Sequence, residues 1–314
     1  MGAKNLEIVG ELMSGEPHFD AASSLFIDQQ LEAMEAAAYR VEYQDLKMRQ
    51  LLPLKTDVPA GAETFAYRIL DVFGRADFIS NYASELPEAG VRGEKRVGKV
   101  EGIANAYSYS TQDLRAAAMA NVGLDAEISQ GAMRAHEERV DETAASGDTG
   151  LGFVGFFKHT DVTIMASTLD WDSASGVQML GDLRRMESKV SEQTKGKHLP
   201  TTIVLPMNKY NQAADKPVDT AGSVQDTVLT VFLRGAKYVR EVVWNDRLLT
   251  LSATGAERAM CYSKDPRVCQ LVIPMEPQQG EPEKRGLRWV RPIESRFGGA
   301  IVRQPLAIVY MDGI

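Results

Sequence analysis

The sequence predicts an α+β chain built from an N-terminal arm, an extended β loop, one long helix and a mixed α/β unit closed by a returning strand. Three observations carry this expectation. Leu124, Ile128, Ala132, Ala135 and Val140 recur at helical spacing through "LDAEISQGAMRAHEERVDETAASG". Two stretches rich in aromatic and β-branched residues, "AETFAYRILDVF" and "KVEGIANAYSYS", flank a polar, glycine-containing segment of about 25 residues. After residue 170 helical and strand patterns alternate, and the chain ends in an apolar run.

The elements follow in order. Residues 1–20 are broken by Gly10, Gly15 and Pro17. Ser23 or Ser24 then caps a helical stretch in which Leu31, Met34 and Ala38 share a face. This segment ends at Pro53 and reads either as an extended arm carrying one helix or as a helix docked on its own domain. In the first β stretch Phe65, Tyr67 and Ile69 share one face; in the second Ile103, Tyr107 and Tyr109 stand out. Their separation predicts a projecting two-stranded arm. Ser110 or Thr111 caps the helical region that follows, "NVG" interrupts it, and Gly147 ends it.

The second half begins with a helix capped by Asp170 or Ser173, with Val177, Leu180, Leu183, Met186 and Val190 on its apolar face. "TTIVLPM" reads as a buried strand, and "SVQDTVLTVFLRG" as a helix from Ser223 to Gly235. Strands are expected at "YVREVVW", "ERAMCYS" and "VCQLVIP". "PMEPQQGEPEKRG", with its three prolines, reads as a surface loop, and "SRFGGAIVRQPLAIVYMDGI" as a buried terminal strand.

Composition and charge exclude several functions. The chain has 314 residues, a net charge of −8, two cysteines and four histidines. It shows no basic stripe; the densest run, Glu94-Lys95-Arg96 with Lys99, is short, and exposed lysines there read as solvating. Cys261 and Cys269 lack zinc spacing and fit a reducing, cytosolic environment. No signal peptide and no membrane span is expected.

The one sharp motif is Gly150-Leu151-Gly152-Phe153-Val154-Gly155, a GxGxxG. A dinucleotide loop follows a strand and opens a helix, so that helix N–H groups face the pyrophosphate. Here a helix comes first and an aromatic, β-branched segment follows, so Gly147, Gly150, Gly152 and Gly155 read as a helix stop and turn. His136-Glu137 lacks the second histidine of HExxH. Asp170 and Asp172 around Trp171, and Glu137-Glu138, read as caps or solvated faces. No catalytic, cofactor-binding or metal site is expected, and the chain is read as a non-enzyme.

The ordered set of parts resembles the major capsid proteins of tailed bacteriophages, with the Hong Kong 97-type fold shared with encapsulins. "DLRAAAMANVGLDAEISQGAMRAHEERVDETAASGDTGLGFVGFFKH" is similar to the family's spine helix and its glycine turn. "AGAETFAYRILDVFGRADFISNYASELPE" is similar to the entry into its extended loop, and "SRFGGAIVRQPLAIVYMDGI" to its terminal strand. The resemblance implies an N-terminal arm at 1–52, an extended loop at 53–109, a peripheral domain at 110–165, an axial domain at 166–290 and a returning peripheral strand at 291–314. It implies an icosahedral shell of pentamers and hexamers around double-stranded DNA, in the virion capsid, assembled in the host cytoplasm. Portal, separate scaffolding and decoration proteins are the expected partners, with packaged DNA touched non-specifically at most and no membrane. Phe73, Phe78, Tyr82 and Leu86 are expected to contact a neighbouring subunit, because the segment is too thin to bury them alone, or else to pack within the hairpin base. The alternatives are an encapsulin-type compartment and a soluble α/β enzyme.

Overall fold

The computed structural model describes residues 45–76, 88–120, 124–218, 226–249 and 257–314. The helix expected after Ser23 lies outside them. The described chain opens with helix α1 (Met48–Leu51) and strands β1 (Leu54–Lys55), β2 (Thr64–Phe73), β3 (Gly90–Lys99) and β4 (Glu101–Ser110). Helices α2 (Thr111–Ala120) and α3 (Leu124–Ser146) precede the short strands β5 (Gly147–Asp148), β6 (Phe153–Val154) and β7 (Thr163–Ala166). Then come α4 (Gly176–Gln193), β8 (Thr202–Leu205), α5 (Met207–Asp215), α6 (Val228–Gly235), β9 (Glu241–Trp244), β10 (Arg258–Tyr262) and β11 (Cys269–Val272). The C-terminal part holds β12 (Met275–Gln279), β13 (Glu283–Arg285), β14 (Arg288–Phe297), β15 (Gly299–Val302) and β16 (Ile308–Asp312).

A mixed five-stranded sheet in the order β7-β16-β10-β8-β9 forms the centre of residues 46–314. Both of its faces are covered. Val204, Met260, Tyr262, Ile308 and Tyr310 point into a core completed by α1, α3 and the segment after α3. Their neighbours Ile203, Ala259, Cys261, Val309 and Met311 point into a second core under α4, α5 and α6. Each CH₂ buried this way contributes about 0.8 kcal/mol. Met48, Leu51 and Leu52 are fully buried in the first core, so the chain joins the compact unit before the expected arm boundary at 52.

Several expectations need correction. The projecting arm is a β2–β3 hairpin, paired in register from Thr64↔Lys99 to Phe73↔Gly90. The strand expected to be its second half, β4, pairs instead with β14 along its whole length. "PMEPQQGEPEKRG" forms β12 and β13 on β14, with a register shift between Met275 and Gln278 where Pro277 cannot donate to the ladder. The cap of α4 is neither Asp170 nor Ser173. Ser175 accepts from the Gln178 N–H, and the Gln178 side chain reaches back to the Ser175 N–H at 2.8 Å. Val177 on that helix is half exposed, and Met179 takes its place in the core. Thr227 caps α6; Ser223 lies outside the described residues. The terminal run divides into β15 and β16 around a 3₁₀ turn begun by Pro305. Ser110 does cap α2, accepting from the Asp113 N–H at 3.1 Å while Asp113 accepts from the Ser110 N–H at 2.9 Å.

Candidate assembly surface

The hairpin projects because it is a two-stranded sheet with little to lie against. Cross-strand partners share a face, so one side carries Phe65, Tyr67, Ile69 and Phe73 opposite Gly98, Arg96, Glu94 and Gly90. At the base, Phe65 and Tyr67 pack on Val58, Val100, Val272 and Ile301, and the Arg303 guanidinium lies 5.3 Å from the Tyr67 ring centre. The Phe65 ring covers Gly98 and the Phe73 ring covers Gly90, filling space where a β-carbon would clash. The other side pairs Ala66 with Val97, Arg68 with Lys95, Leu70 with Gly93 and Val72 with Val91. Leu70, Val72, Val91 and Val97 are all at least 60% exposed; the first three form an apolar strip left open in the single chain, and Val97 lies beyond the Arg68–Lys95 rung.

Of the expected contact residues, Phe73 sits at the far end of β2, half exposed, with the Arg92 guanidinium 5.9 Å from its ring. Phe78, Tyr82 and Leu86 lie outside the described residues. The sequence reading missed Leu70, Val72, Val91 and Val97. The signal for the first two was the apolar alternation on the second face of β2.

The hairpin is anchored beside the glycine turn. Helix α3 ends at Gly147 with φ 80°, and Gly152 has φ 78°. The Gly150 N–H donates to Asp148 Oδ1 at 3.0 Å. Gly147 and Gly155 touch backbone to backbone: a β-carbon on Gly155 would come within 2.5 Å of the Ala145 carbonyl oxygen and the Gly147 nitrogen. The Phe156 and Phe157 N–H groups donate back to Ala144 and Ala145, at 2.8 and 3.1 Å, which doubles the chain tightly onto the helix end. Among the described residues the glycines are followed by the short strands β6 and β7, and the next helix starts only at Gly176. Gly155→Ala should therefore cost about 2–4 kcal/mol in urea unfolding, through overpacking and backbone strain. Gly152→Ala, with open space around it, should cost about 1–2 kcal/mol for its positive φ alone.

The residues weighed for chemistry have structural partners. His136 is buried, its Nδ1 3.2 Å from Ser295 Oγ, between α3 and β14. Glu137 binds Arg49, which also binds Glu276, tying α1 to α3 and β12. Asp170 and Asp172 face the buried Lys209 ammonium at 3.5 and 2.7 Å, with Glu257 at 3.4 Å. Burial works against that charge, but the Asp172 hydrogen bond and the surrounding carboxylates outweigh it and hold the Lys209 pKa above its ordinary value. Among the described residues no group of three or more His, Cys, Asp or Glu is placed to hold a metal. No described helix is long and apolar enough to cross a membrane.

Both cysteines are fully buried and form no disulfide. Burial raises the Cys269 thiol to about 12 and pushes Cys261 higher still. Neither should react with a disulfide reagent at pH 8 until the protein is denatured, when two thiols per chain should titrate.

The hairpin leaves an apolar strip uncovered in the single chain, and comparison with known proteins gives the class of the fold. The family model described as Major capsid protein matches residues 74–314. The chain belongs to the major capsid protein family. Its fold is similar to that of the capsid of Myoviridae phage XM1, with a TM-score of 0.80 at 16% identity over 91% of this chain and 98% of that one. A Mycobacterium phage Bobi chain aligns with a TM-score of 0.67 at 14% identity, covering 93% of this chain and 98% of its own. A virus-like particle from Pyrococcus furiosus aligns less well, at 0.55 and 12% identity over 84% and 92%. No curated protein sequence matches the chain. The expected Hong Kong 97-type architecture is thus the observed one, and the chain is a structural capsid protein.

Proposed function

We propose that this chain forms pentamers and hexamers that close into the icosahedral shell of a tailed phage around double-stranded DNA. The observation that carries the reading is the open strip Leu70, Val72 and Val91, with Val97 exposed nearer the base, on a hairpin that leaves them uncovered. A neighbouring copy supplies the missing surface, and many such weak contacts hold a closed shell together. On this reading Phe73, with Phe78, Tyr82 and Leu86, meets that neighbour. The same reading keeps five parts in the chain, an N-terminal arm, an extended loop, a peripheral domain, an axial domain and a returning peripheral strand, with the arm ending before the buried Met48 and the β2–β3 hairpin of the extended loop ending at Lys99. The subunit has no enzymatic activity, assembles in the host cytoplasm, and works with portal, scaffolding and decoration proteins. The better structural agreement with phage capsids favours this reading over an encapsulin-type compartment.

Light scattering on the purified protein across a concentration series tests it. The expected masses are five- and six-fold multiples of the 34.5 kDa chain, rising to far larger particles. A monomer or dimer at every concentration and salt would favour the enzyme alternative.

A further inference from the structure

The sequence shows no basic stripe, but the fold assembles a basic face from separate segments. Helix α4 buries Met179, Leu183, Met186 and Val190 against the central sheet, which turns Arg184, Arg185 and Lys189 outward. These three cations line an open basin of about 530 Å³, together with Met165, Ser188 and Glu192. The buried Glu187 carboxylate extends the face by accepting the Tyr238 and Val239 N–H groups at 2.6 and 3.2 Å. That fastens the segment after α6 along α4 and brings exposed Lys237 and Arg240 to its edge. Arg184 reaches the C-terminal end of α6 beside Gly235, and Lys197 follows the end of α4.

Arg185 is paired with Asp182 at 3.0 Å. Among the described residues, Arg184, Lys189, Lys197, Lys237 and Arg240 have no carboxylate partner. Glu192 also lines the basin, but in a chain of net charge −8 five such cations around one helix still favour a polyanion. The basin is shallow and its lining has no aromatic side chain on which a base could stack.

We propose that the outer face of α4, with the 235–240 segment, binds the phosphate backbone of double-stranded DNA without reading its sequence. The proposal rests on the shell reading above and names the face of the subunit that meets the packaged duplex. Neutralised phosphates release counterions, so affinity should fall steeply with salt.

The test is fluorescence anisotropy of unassembled subunits with a labelled random-sequence duplex, over a salt series. One variant carries Arg184→Glu, Lys189→Glu and Lys197→Glu; a charge-matched control carries Lys158→Glu, Arg267→Glu and Arg285→Glu. A third carries Arg184→Gln, Lys189→Gln and Lys197→Gln, so that the result does not depend on one variant folding. The wild type and the control should bind alike. Both α4 variants should bind at least about tenfold more weakly, with a salt slope shallower by about 0.9 for each phosphate no longer neutralised. Equal binding by the α4 variants and the control, or no duplex binding by the wild type at low salt, would overturn the proposal. So would α4 variants that bind duplex normally and fail to close shells, because the face then meets a second copy of the chain. A wild type that closes no shells strikes the shell reading instead, and the two failures are distinguishable.

Discussion

Replacing residues 70–93 by an Asn-Gly turn leaves a folded subunit that cannot close shells. The cut follows the register, since Ile69 faces Glu94 and the rungs from Thr64↔Lys99 to Ile69↔Glu94 survive it. Asn-Gly favours the two-residue turn that such a hairpin needs. The core under Phe65 and Tyr67 is retained, so urea unfolding should shift by less than about 1 kcal/mol. The apolar strip Leu70, Val72 and Val91 is removed with Phe73, and assembly should fall below detection in sedimentation. Normal shells from this variant would show that the hairpin is dispensable.

Arg258→Ala should destabilise the subunit itself by about 3–5 kcal/mol, because it leaves a carboxylate and a carbonyl without their partner. Arg258 is buried on β10, where its guanidinium holds both Asp312 oxygens at 2.6 and 2.8 Å and the Phe157 carbonyl at 2.7 Å. It also lies 4.6 Å from the Tyr310 ring centre. One side chain thereby joins the central sheet, the C-terminal strand and the segment after the spine helix. Arg258→Lys should restore only part of the loss, since an ammonium cannot make the bidentate pair. Thermal unfolding of the three proteins at neutral pH measures the effect. A melting temperature for Arg258→Ala close to that of the wild type would contradict it.

What the sequence showed and what it hid have separate physical causes. The spine helix was legible in part: Val140 is buried and Ile128 and Ala132 are half-buried, but Ala135 is exposed, and the buried face also takes His136, Asp141 and Thr143, whose polarity blurs the helical period. Its end was legible because Gly147 takes a positive φ. Strands β10 and β16 were legible as continuous apolar runs, since alternate residues enter different cores and both sets are buried. Strand β3 was hidden: "GVRGEKRVGK" is charged and glycine-rich, and its pairing depends on Phe65, Leu70 and Phe73 lying over Gly98, Gly93 and Gly90. That complementarity lies between strands, where local propensity does not reach. Strand β12 was hidden by Pro277 at its register shift. The candidate surface was half legible. Phe73 stood out as an aromatic on a thin segment, whereas the strip on the opposite face required the register. The basic face was invisible, because residues 184–197 and 237–240 are distant in sequence and are brought together by the Glu187 hydrogen bonds and the packing of Val239.

Negative-stain electron microscopy of the purified full-length chain tests the central claim most directly. Closed shells, or rings of five and six subunits that convert to shells, are the predicted result. Uniform small particles at every concentration and salt would contradict it.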